Sequence, residues 1–508
     1  MKTSNTTPKN ESEKQPGSMH DLVHSDNLTE PYAKACNKVS EAVWEVSQSF
    51  KKGMLVPARI IATQPLLQHM DNAVIDQLTN VACLPGIVRH AYCMADAHSG
   101  YGFPIGGVAA FDKETGIISP GGIGFDINCG MRLVKTNLFL KDMEPALKHL
   151  VDLLFKKVPA GVGGKGFVNV NNSQFIEIMQ GGANWCIEQG YGWASDKEHM
   201  EEQGCITDAN PDNISEKARA RGIHQLGTLG SGNHYLEIQV ADKIFDEKTA
   251  KLLGIQQGQI LVMVHCGSRG FGHQVGSDYL QLFEQSMINH KITVPDRELA
   301  CAPFQSKEGQ DYFGAMACAA NMAFANRQVI LHRIRECFSE VFMKSAEDLG
   351  MELVYDVCHN IAKIEPHVVD GKKQELVVHR KGATRSFGPS RMTGLFAKTG
   401  QPVIIGGSME TGSYLLTGTD ASEHTWCSTA HGSGRTMSRG QAKRMTRGED
   451  VQKSMAAKGI YVRTVSYAGL AEEAGFAYKD ISEVVHAMTL AGVSKPVVAL
   501  RPIGNIKG

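Results

Sequence analysis

The sequence has 508 residues, with 52 lysines and arginines against 53 aspartates and glutamates, so its formal net charge is -1. This balance excludes a globally basic nucleic-acid coat protein but is compatible with a local basic site. No segment approaches the roughly 18 consecutive apolar residues of a membrane span, so we expect no membrane association.

The N-terminal part of the chain begins with polar residues and continues as apolar periodic segments separated by glycine-rich loops. Residues 1–30 predict a disordered polar tail, and they lack the apolar segment of a secretory signal. Apolar residues at helical spacing predict helices, and short apolar runs between turn residues predict strands. In chain order we expect helices at 31–50 and 69–81, the second capped near Asp71; strands at 81–100 and 101–110, joined by a polar loop with Asp96 and His98; a glycine-rich turn at 121–130; a strand at 131–138; a helix at 141–157; and a loop at 160–182.

The remaining elements alternate irregularly. We expect a helix at 213–221, strands at 226–240 and 259–265, helices at 274–289 and 315–348, strands at 351–362, 374–380 and 401–406, a basic segment at 428–450, a helix at 449–458 and a strand at 496–508. No linker separates them, so the predicted fold class is α+β, as a single large catalytic domain over residues 31–508 with mixed sheets around a central cleft.

The cysteines bear on compartment and on metal binding. None of the 12 forms a Cys-x-x-Cys pair, which argues against a structural zinc ribbon. In a large chain without a signal sequence we expect reduced thiols and an intracellular location.

The turn at 121–130, GGIGFDINCG, places Asp126 and Cys129 three residues apart between glycines. Glycines permit tight turns, so the carboxylate and the thiol can converge on one point, and a thiolate can bridge two cations. The alternative for this turn alone is a structural loop with a buried free cysteine.

Three histidines lie at strand ends. His265 and His359 end apolar strands, and His234 begins one. A single such histidine is more often structural, but three of them with Asp126 and Cys129 form a nitrogen, sulfur and oxygen set that suits Zn, Mn, Fe or Co. Open coordination positions would remain for substrate.

Two glycine- and serine-rich loops with arginine, HCGSRGFGHQ and HGSGRTMSR, are typical of phosphate binding. Arg435 and Arg439 are four residues apart and would share one face of a helix. HRKGATRSF at 379–387 is a further basic loop, whereas the lysine and arginines at 443, 444 and 447 fit a solvated charge run. His431 lies in the second loop and can act as a covalent nucleophile, a general base or a further metal ligand.

Eight separated motifs resemble the RtcB family of tRNA-splicing RNA ligases in its eukaryotic form. In chain order they are GGIGFDINCG, GSGNHYLEI, HCGSRGFGHQ, YDVCHNIAK, HRKGATR, IGGSM, HGSGR and LRPIGNIKG. The resemblance covers roughly residues 31–508. It implies a GTP- and Mn²⁺-dependent ligase that joins a 2′,3′-cyclic phosphate or 3′-phosphate RNA end to a 5′-hydroxyl end.

The resemblance also implies roles for individual residues. His431 would be the guanylylated nucleophile. One Mn²⁺ would be held by Cys129 and His234, and the other by Asp126, Cys129, His265 and His359. Nucleotide contacts would fall on Asn233, His234, Tyr235, Leu236, Glu237, His359, Asn360, Gly406, Gly407, Ser408, Met409, Ser413, His431, Gly432, Ser433, Gly434 and Lys507. RNA phosphates would be bound by Arg221, Arg269, Arg435 and Arg439.

By the same resemblance the RNA would be tRNA exon halves, with RNA repair or unconventional mRNA splicing as further roles. Archease and a DEAD-box helicase would be partners, in cytoplasm and nucleus. Cys266, Cys358 and Glu410 depart from the residues usual in animal relatives. The residues alone leave two alternatives: a two-metal phosphoesterase acting on cyclic phosphates, and a metal-stabilised RNA-binding scaffold.

Overall fold

The structure is a computed structural model that describes residues 28–508. The predicted tail at 1–30 therefore lies outside the described residues except for its last three. The helices are α1 Glu30–Ala35, α2 Gln64–Gln68, α3 Asn72–Val81, α4 Leu140–Met143, α5 Leu147–Lys157, α6 Asn172–Gly181, α7 Ala183–Glu188, α8 Glu216–Gly222, α9 Glu247–Leu253, α10 Arg269–His290, α11 Lys307–Phe342, α12 Phe396–Thr399, α13 Arg439–Met445, α14 Gly448–Ala457, α15 Tyr467–Glu472 and α16 Ile481–Leu490.

The strands form two large sheets and two small ones. They are β1 Cys36–Ser40, β2 Val43–Val46, β3 Ala58–Ile61, β4 Ala91–His98, β5 Ile105–Asp112, β6 Ile117–Ile118, β7 Gly130–Phe139, β8 Tyr235–Ile244, β9 Gln259–Cys266, β10 Ala302–Pro303, β11 Leu353–Cys358, β12 Asn360–Val369, β13 Lys372–Lys381, β14 Ala383–Arg385, β15 Pro402–Gly406, β16 Ser413–Gly418, β17 Ser428–Ala430, β18 Tyr461–Thr464 and β19 Ser494–Lys507. One large sheet has the order β1-β2-β3-β4-β5-β13-β12, and the other has the order β11-β7-β9-β8-β19-β16-β15 with β18 beside β19. Both mix parallel and antiparallel pairs, which confirms the predicted α+β class.

The register of the second sheet explains why the motif residues meet. β11, β7, β9 and β8 are neighbours and run antiparallel, with Gly130 opposite both Cys266 and Cys358 and with Tyr235 opposite His265. In antiparallel neighbours the start of one strand lies beside the end of the next. The starts of β7 and β8 and the ends of β9 and β11 therefore lie side by side. We call the place where these four strand ends meet the shared strand edge.

Helix α11 is the longest helix of the described chain, with 36 residues. Most of its residues are buried, including the polar Asn321, Asn326 and Arg327. Buried polar groups need hydrogen-bond partners, and those of Arg327 include backbone carbonyls next to the shared strand edge. None of the helices within residues 28–508 is both long and apolar enough to cross a membrane.

Two predicted elements are wrong. The helix predicted at 31–50 stops at Ala35, and β1 and β2 follow as an antiparallel pair next to β3. Val43, Trp44 and Val46 are buried there, so strand pairing and β-branched side chains outweigh the helical spacing.

The loop predicted at 160–182 contains α6. Asn171 and Gln174 form a reciprocal capping box at its start, a local signal that the glycine and asparagine content obscured. The strand predicted at 81–100 is too long, because the observed strand β4 spans only Ala91–His98.

Candidate active site

Five predicted donors meet at the shared strand edge, and we call them the centre cluster: Asp126, Cys129, His234, His265 and His359. The Sγ of Cys129 lies 3.3 Å from Nε2 of His234 and 3.2 Å from Nε2 of His265. The Nε2 atoms of His265 and His359 are 3.2 Å apart, and Oδ2 of Asp126 is 2.8 Å from Nε2 of His234.

The donors form two groups that share Cys129. One group is Cys129, His265 and His359, and the other is Asp126, Cys129 and His234, with donor atoms within 4.8 Å of one another in each. This grouping differs from the expected division, in which Asp126 accompanies His265 and His359. The turn between Asp126 and Cys129 directs the carboxylate toward His234 instead.

The chemistry of the centre cluster fits divalent cations. The Oδ1 atom of Asp126 is buried without a hydrogen-bond partner among the described residues. Burial lowers the pKa of His265 and His359 well below its ordinary value, and neighbouring histidine charges lower it further, so both rings are neutral with lone pairs available. Burial also raises the pKa of Cys129 to about 12, so a cation would have to displace its proton.

Arg327 ties the elements that carry these donors together. Its guanidinium donates to the carbonyl of Asn128 at 2.8 Å and to the carbonyl of Cys266 at 3.0 Å. It also pairs with both carboxylate oxygens of Asp356, at 2.9 and 2.8 Å. Each contact lies within three residues of a donor in the sequence, so one fully buried side chain holds β7, β9 and β11 in register.

The backbone is shaped for this approach. Asn128 has φ of 53°, a left-handed conformation that asparagine tolerates better than most residues. A Cβ at Gly267 would lie 2.4 Å from Oδ1 of Asp126, so only glycine leaves room for the carboxylate.

His431 lies beside the centre cluster and is held by Asp96. Its Nδ1 is 2.6 Å from Oδ2 of Asp96, and its ring centroid is 4.7 Å from that of His359. The same carboxylate oxygen accepts the backbone N–H groups of His431 and Gly432 at 3.0 and 3.1 Å. Nδ1 therefore donates to the Asp96 carboxylate, and Nε2 is the ring nitrogen outside this contact.

One cavity of about 740 Å³ opens onto these groups. Most of the predicted nucleotide residues line it. They are Asn233, Tyr235, His359, Asn360, Gly406, Gly407, Ser408, Met409, His431, Gly432, Ser433, Gly434 and Lys507.

The other four predicted nucleotide residues do not line the cavity. His234 belongs to the centre cluster, and Leu236 is buried in the apolar core. Glu237 accepts hydrogen bonds from Gln239 at 2.7 Å and from Asn505 at 2.5 Å. Ser413 accepts one from Gln239 at 3.3 Å.

The predicted phosphate-binding arginines form two pairs. Arg435 and Arg439 do not share a helix, since α13 begins at Arg439, but both contact the buried Glu473, at 3.4 and 3.1 Å. Arg435 also donates to the Tyr478 hydroxyl at 3.1 Å and is largely enclosed, whereas the Arg439 side chain is half exposed.

Arg221 and Arg269 lie on another flank. Nη1 of Arg269 is 3.1 Å from Nδ1 of His234, and Arg269 has φ of 59°. Arg269 is the first residue of α10. A Cβ at Gly270 would lie 3.4 Å from Nε of Arg221, so Arg221, which belongs to α8, lies beside the start of α10.

The three residues that depart from those usual in animal relatives each form hydrogen bonds in the structure. Cys266 donates to the carbonyl of Leu229 at 3.1 Å, and Cys358 donates to Glu201 at 2.9 Å. Both thiols are buried. Glu410 accepts from the backbone N–H of Gly475 at 3.1 Å and pairs with Lys458 at 2.5 Å, so it ties the loop after β15 to the segment after α15.

Comparison with known proteins identifies the family. A family model described as tRNA-splicing ligase RtcB matches residues 77–508. The chain belongs to the RtcB family of tRNA-splicing ligases. Membership of this family makes it an RNA ligase and confirms the resemblance that the eight motifs carry.

Archaeal relatives named tRNA-splicing ligase RtcB match at high identity. The proteins of Archaeoglobus fulgidus, Pyrobaculum aerophilum and Thermococcus kodakarensis are 53%, 52% and 50% identical to this chain. Each match covers 93% of this chain and 98% or 99% of the relative. The likeness to the RtcB family thus extends over nearly the whole length of both proteins.

Sequence reasoning gave no role to Asp96, Glu473 or Tyr478. Asp96 was noted only as part of a polar loop, although it lies in β4 and contacts His431 across 335 residues of sequence. Its only local signal is an acidic residue inside an otherwise apolar strand. Glu473 and Tyr478 follow α15 and carry no motif.

Proposed function

We propose that this RNA ligase joins a 2′,3′-cyclic phosphate or 3′-phosphate end to a 5′-hydroxyl end, using GTP and two Mn²⁺ ions, through a His431–GMP intermediate. The observation that carries the proposal is the pairing of His431 Nδ1 with the buried Asp96 at 2.6 Å, beside a cluster of metal-type donors in one cavity. An RNA scaffold would not need such an aligned imidazole, and a two-metal phosphoesterase would form no GMP adduct on it.

His431 acts as the nucleophile through Nε2. Its lone pair attacks the α-phosphorus of GTP, and pyrophosphate leaves. The ring then carries a positive charge, which the Asp96 carboxylate stabilises through the Nδ1–H that it already accepts. Asp96 therefore fixes the tautomer before the reaction and offsets charge after it.

The centre cluster holds the metal ions. Cys129 is shared between the group with His265 and His359 and the group with Asp126 and His234. Bound divalent cations supply positive charge that stabilises transferring phosphates and their leaving groups. The neutral rings of His265 and His359 and the buried thiol favour a borderline cation over a hard one such as Mg²⁺.

The RNA steps follow from the aligned imidazole. A cyclic phosphate is first opened by water to a 3′-phosphate. An oxygen of that phosphate attacks the His431-bound GMP, which releases the ring in its neutral form. The 5′-hydroxyl then loses its proton and attacks the activated 3′-phosphorus, and GMP leaves.

The surrounding residues complete the assignment. The glycine loops at 406–409 and 432–434 and Lys507 line the cavity and bind the guanine nucleotide, while Arg221, Arg269, Arg435 and Arg439 bind RNA phosphates. Residues 31–508 act as one catalytic domain. The family resemblance supports tRNA exon halves as substrate, archease and a DEAD-box helicase as partners, and cytoplasm and nucleus as location.

The test is incubation with α-labelled GTP and Mn²⁺, followed by denaturing electrophoresis. We expect a labelled protein band that is stable in alkali and lost in acid, as a phosphorus–nitrogen bond requires. His431→Ala should lose the band and RNA sealing while retaining bound metal, and His424→Ala, which changes a histidine outside the cavity wall, should retain all three.

Two outcomes would contradict the proposal. Sealing by His431→Ala would remove the assigned nucleophile. Cyclic-phosphate hydrolysis by the wild-type protein without any GMP adduct would favour a two-metal phosphoesterase.

A further inference from the structure

A column of three aromatic rings lies beside the centre cluster and outside the cavity. Phe125, the neighbour of Asp126, stacks on His273 with ring centroids 4.9 Å apart and an interplanar angle of 22°. Tyr101 continues the column at 5.4 Å from Phe125 with a tilt of 59°. None of the three lines the cavity, whereas Asp126, which follows Phe125 in the sequence, does, so the column lies outside the cavity and next to one of its lining residues.

The column is built from three separate elements and remains accessible. His273 is exposed, and Phe125 and Tyr101 are half buried. Tyr101 follows β4, Phe125 belongs to the glycine-rich turn, and His273 lies in α10. Lys381 donates to the carbonyls of Tyr101 and Gly121, which holds the first two elements together.

Two arginines lie at the His273 end of the column. Arg269 lies one helical turn before His273, and Arg221 lies against the same end of α10. At the other end the backbone N–H of Gly102, next to Tyr101, donates to Glu298 at 2.8 Å. The Tyr101 end thus holds Glu298 as well as the cation of Lys381, whereas the exposed His273 ring has two arginines beside it. A polyanionic strand would therefore run along the His273 side.

We infer that His273 and Phe125 form a stacking platform for an unpaired nucleobase of the RNA being joined, next to the reacting end. Single-stranded RNA is bound by aromatic faces for the bases and cations for the backbone. The exposed face of His273 with Arg269 and Arg221 beside it offers both, and Asp126 places the platform next to the reaction centre. The inference rests on the RNA-ligase function but requires neither GTP nor His431.

The first test measures binding without chemistry. We would titrate single-stranded RNA into the full chain, with chelator and no GTP, and follow fluorescence anisotropy. His273→Ala removes the stacking of one base and should therefore weaken RNA binding roughly 5- to 150-fold. His273→Phe should restore RNA binding. His290→Ala, which changes an exposed histidine at the other end of α10, should bind like the wild type.

The second test identifies the base. RNA pairs would carry an abasic residue either at the 5′-hydroxyl end or at the 3′-phosphate end. In the wild type, one of the two should raise the KM for sealing as much as His273→Ala does, and it should add little in that variant. Guanylylation of His273→Ala should equal that of the wild type.

Three results would overturn the platform: unchanged RNA binding by His273→Ala, no effect of either abasic residue, or abasic and His273→Ala effects that multiply. Failure of wild-type guanylylation would instead count against the proposed GTP mechanism. The two proposals can thus fail separately.

Discussion

Two regions of the molecule bring together the same kinds of donor, and they differ in where a neighbouring arginine lies. The centre cluster groups cysteine, histidine and aspartate, and a second set, which we call the distal cluster, groups His367, Glu423 and Cys427 with donor atoms equally close. Burial raises the pKa of Cys129 and of Cys427 to about 12 in both. Thiol protonation therefore does not distinguish them.

The difference is a guanidinium. Nη1 of Arg391 lies 2.9 Å from Glu423, 3.3 Å from the Sγ of Cys427 and 3.4 Å from Nδ1 of His367. Donor atoms contact one another in both clusters, with His367 Nδ1 at 3.0 Å from Glu423 in the distal one. In the centre cluster, however, Arg269 contacts Nδ1 of His234, the ring nitrogen that does not face Cys129. We therefore expect a cation to bind the centre cluster in preference to the distal cluster, because Arg391 already places a positive charge among the distal donors.

The largest effect should come from Cys129→Ala. Because Cys129 belongs to both donor groups, its loss should remove both ions and lower guanylylation at least about 10³-fold. Elemental analysis and GTP labelling measure the two effects. Cys427→Ala is the matched control and should keep wild-type metal content, while full occupancy in Cys129→Ala would disprove the shared thiolate.

Asp96→Asn should affect chemistry without affecting metal content. Asparagine keeps the size of the side chain but cannot stabilise the charged ring of His431, so we expect a GMP-adduct rate about 10² to 10⁴ times lower. Rapid-quench labelling gives the rate. An unchanged rate would mean that the 2.6 Å contact serves only the fold.

Arg327→Lys should loosen the centre cluster through its backbone. Lysine keeps the charge but lacks the planar fork, so metal affinity should fall about 10- to 100-fold. Arg335→Lys changes another buried arginine of α11, which pairs with Asp196 at 2.6 and 2.7 Å. Both variants should lose about 1 to 3 kcal/mol of unfolding free energy, but equal metal affinities in the two would refute a specific role for Arg327.

Arg391→Met should have the smallest effect on activity. It tests directly whether Arg391 keeps cations out of the distal cluster. Removing the guanidinium should allow the distal cluster to bind one additional Co²⁺ or Zn²⁺ weakly, while sealing stays within about twofold of wild type. Equilibrium dialysis counts the ions. No additional ion would show that burial or geometry, rather than the arginine, prevents binding there.

All five members of the centre cluster could be named from the sequence because each carries a local signal, and His234, His265 and His359 adjoin apolar strands. That these strand ends meet follows from the antiparallel pairing of β7, β8, β9 and β11, which the sequence does not show. The division of donors between two groups was not predictable, because it depends on a left-handed turn at Asn128 with φ of 53°.

Contacts between distant elements were also beyond the sequence. Asp96 belongs to the first large sheet and His431 follows β17, so no spacing rule relates them. The fold class and the long helices followed from periodicity. By contrast, the strand pair β1 and β2 depended on burial against β3, which outweighed local helical spacing.

The position of Arg327 in the chain has a consequence for biosynthesis. A ribosome delivers Asp126, Cys129, His234 and His265 before it adds the residue whose guanidinium aligns the carbonyls of positions 128 and 266. The nascent ligand motifs therefore emerge unaligned, and they gain their mutual geometry only when α11 docks. Loading of the proposed metal ions would therefore have to wait until α11 has packed into the interior.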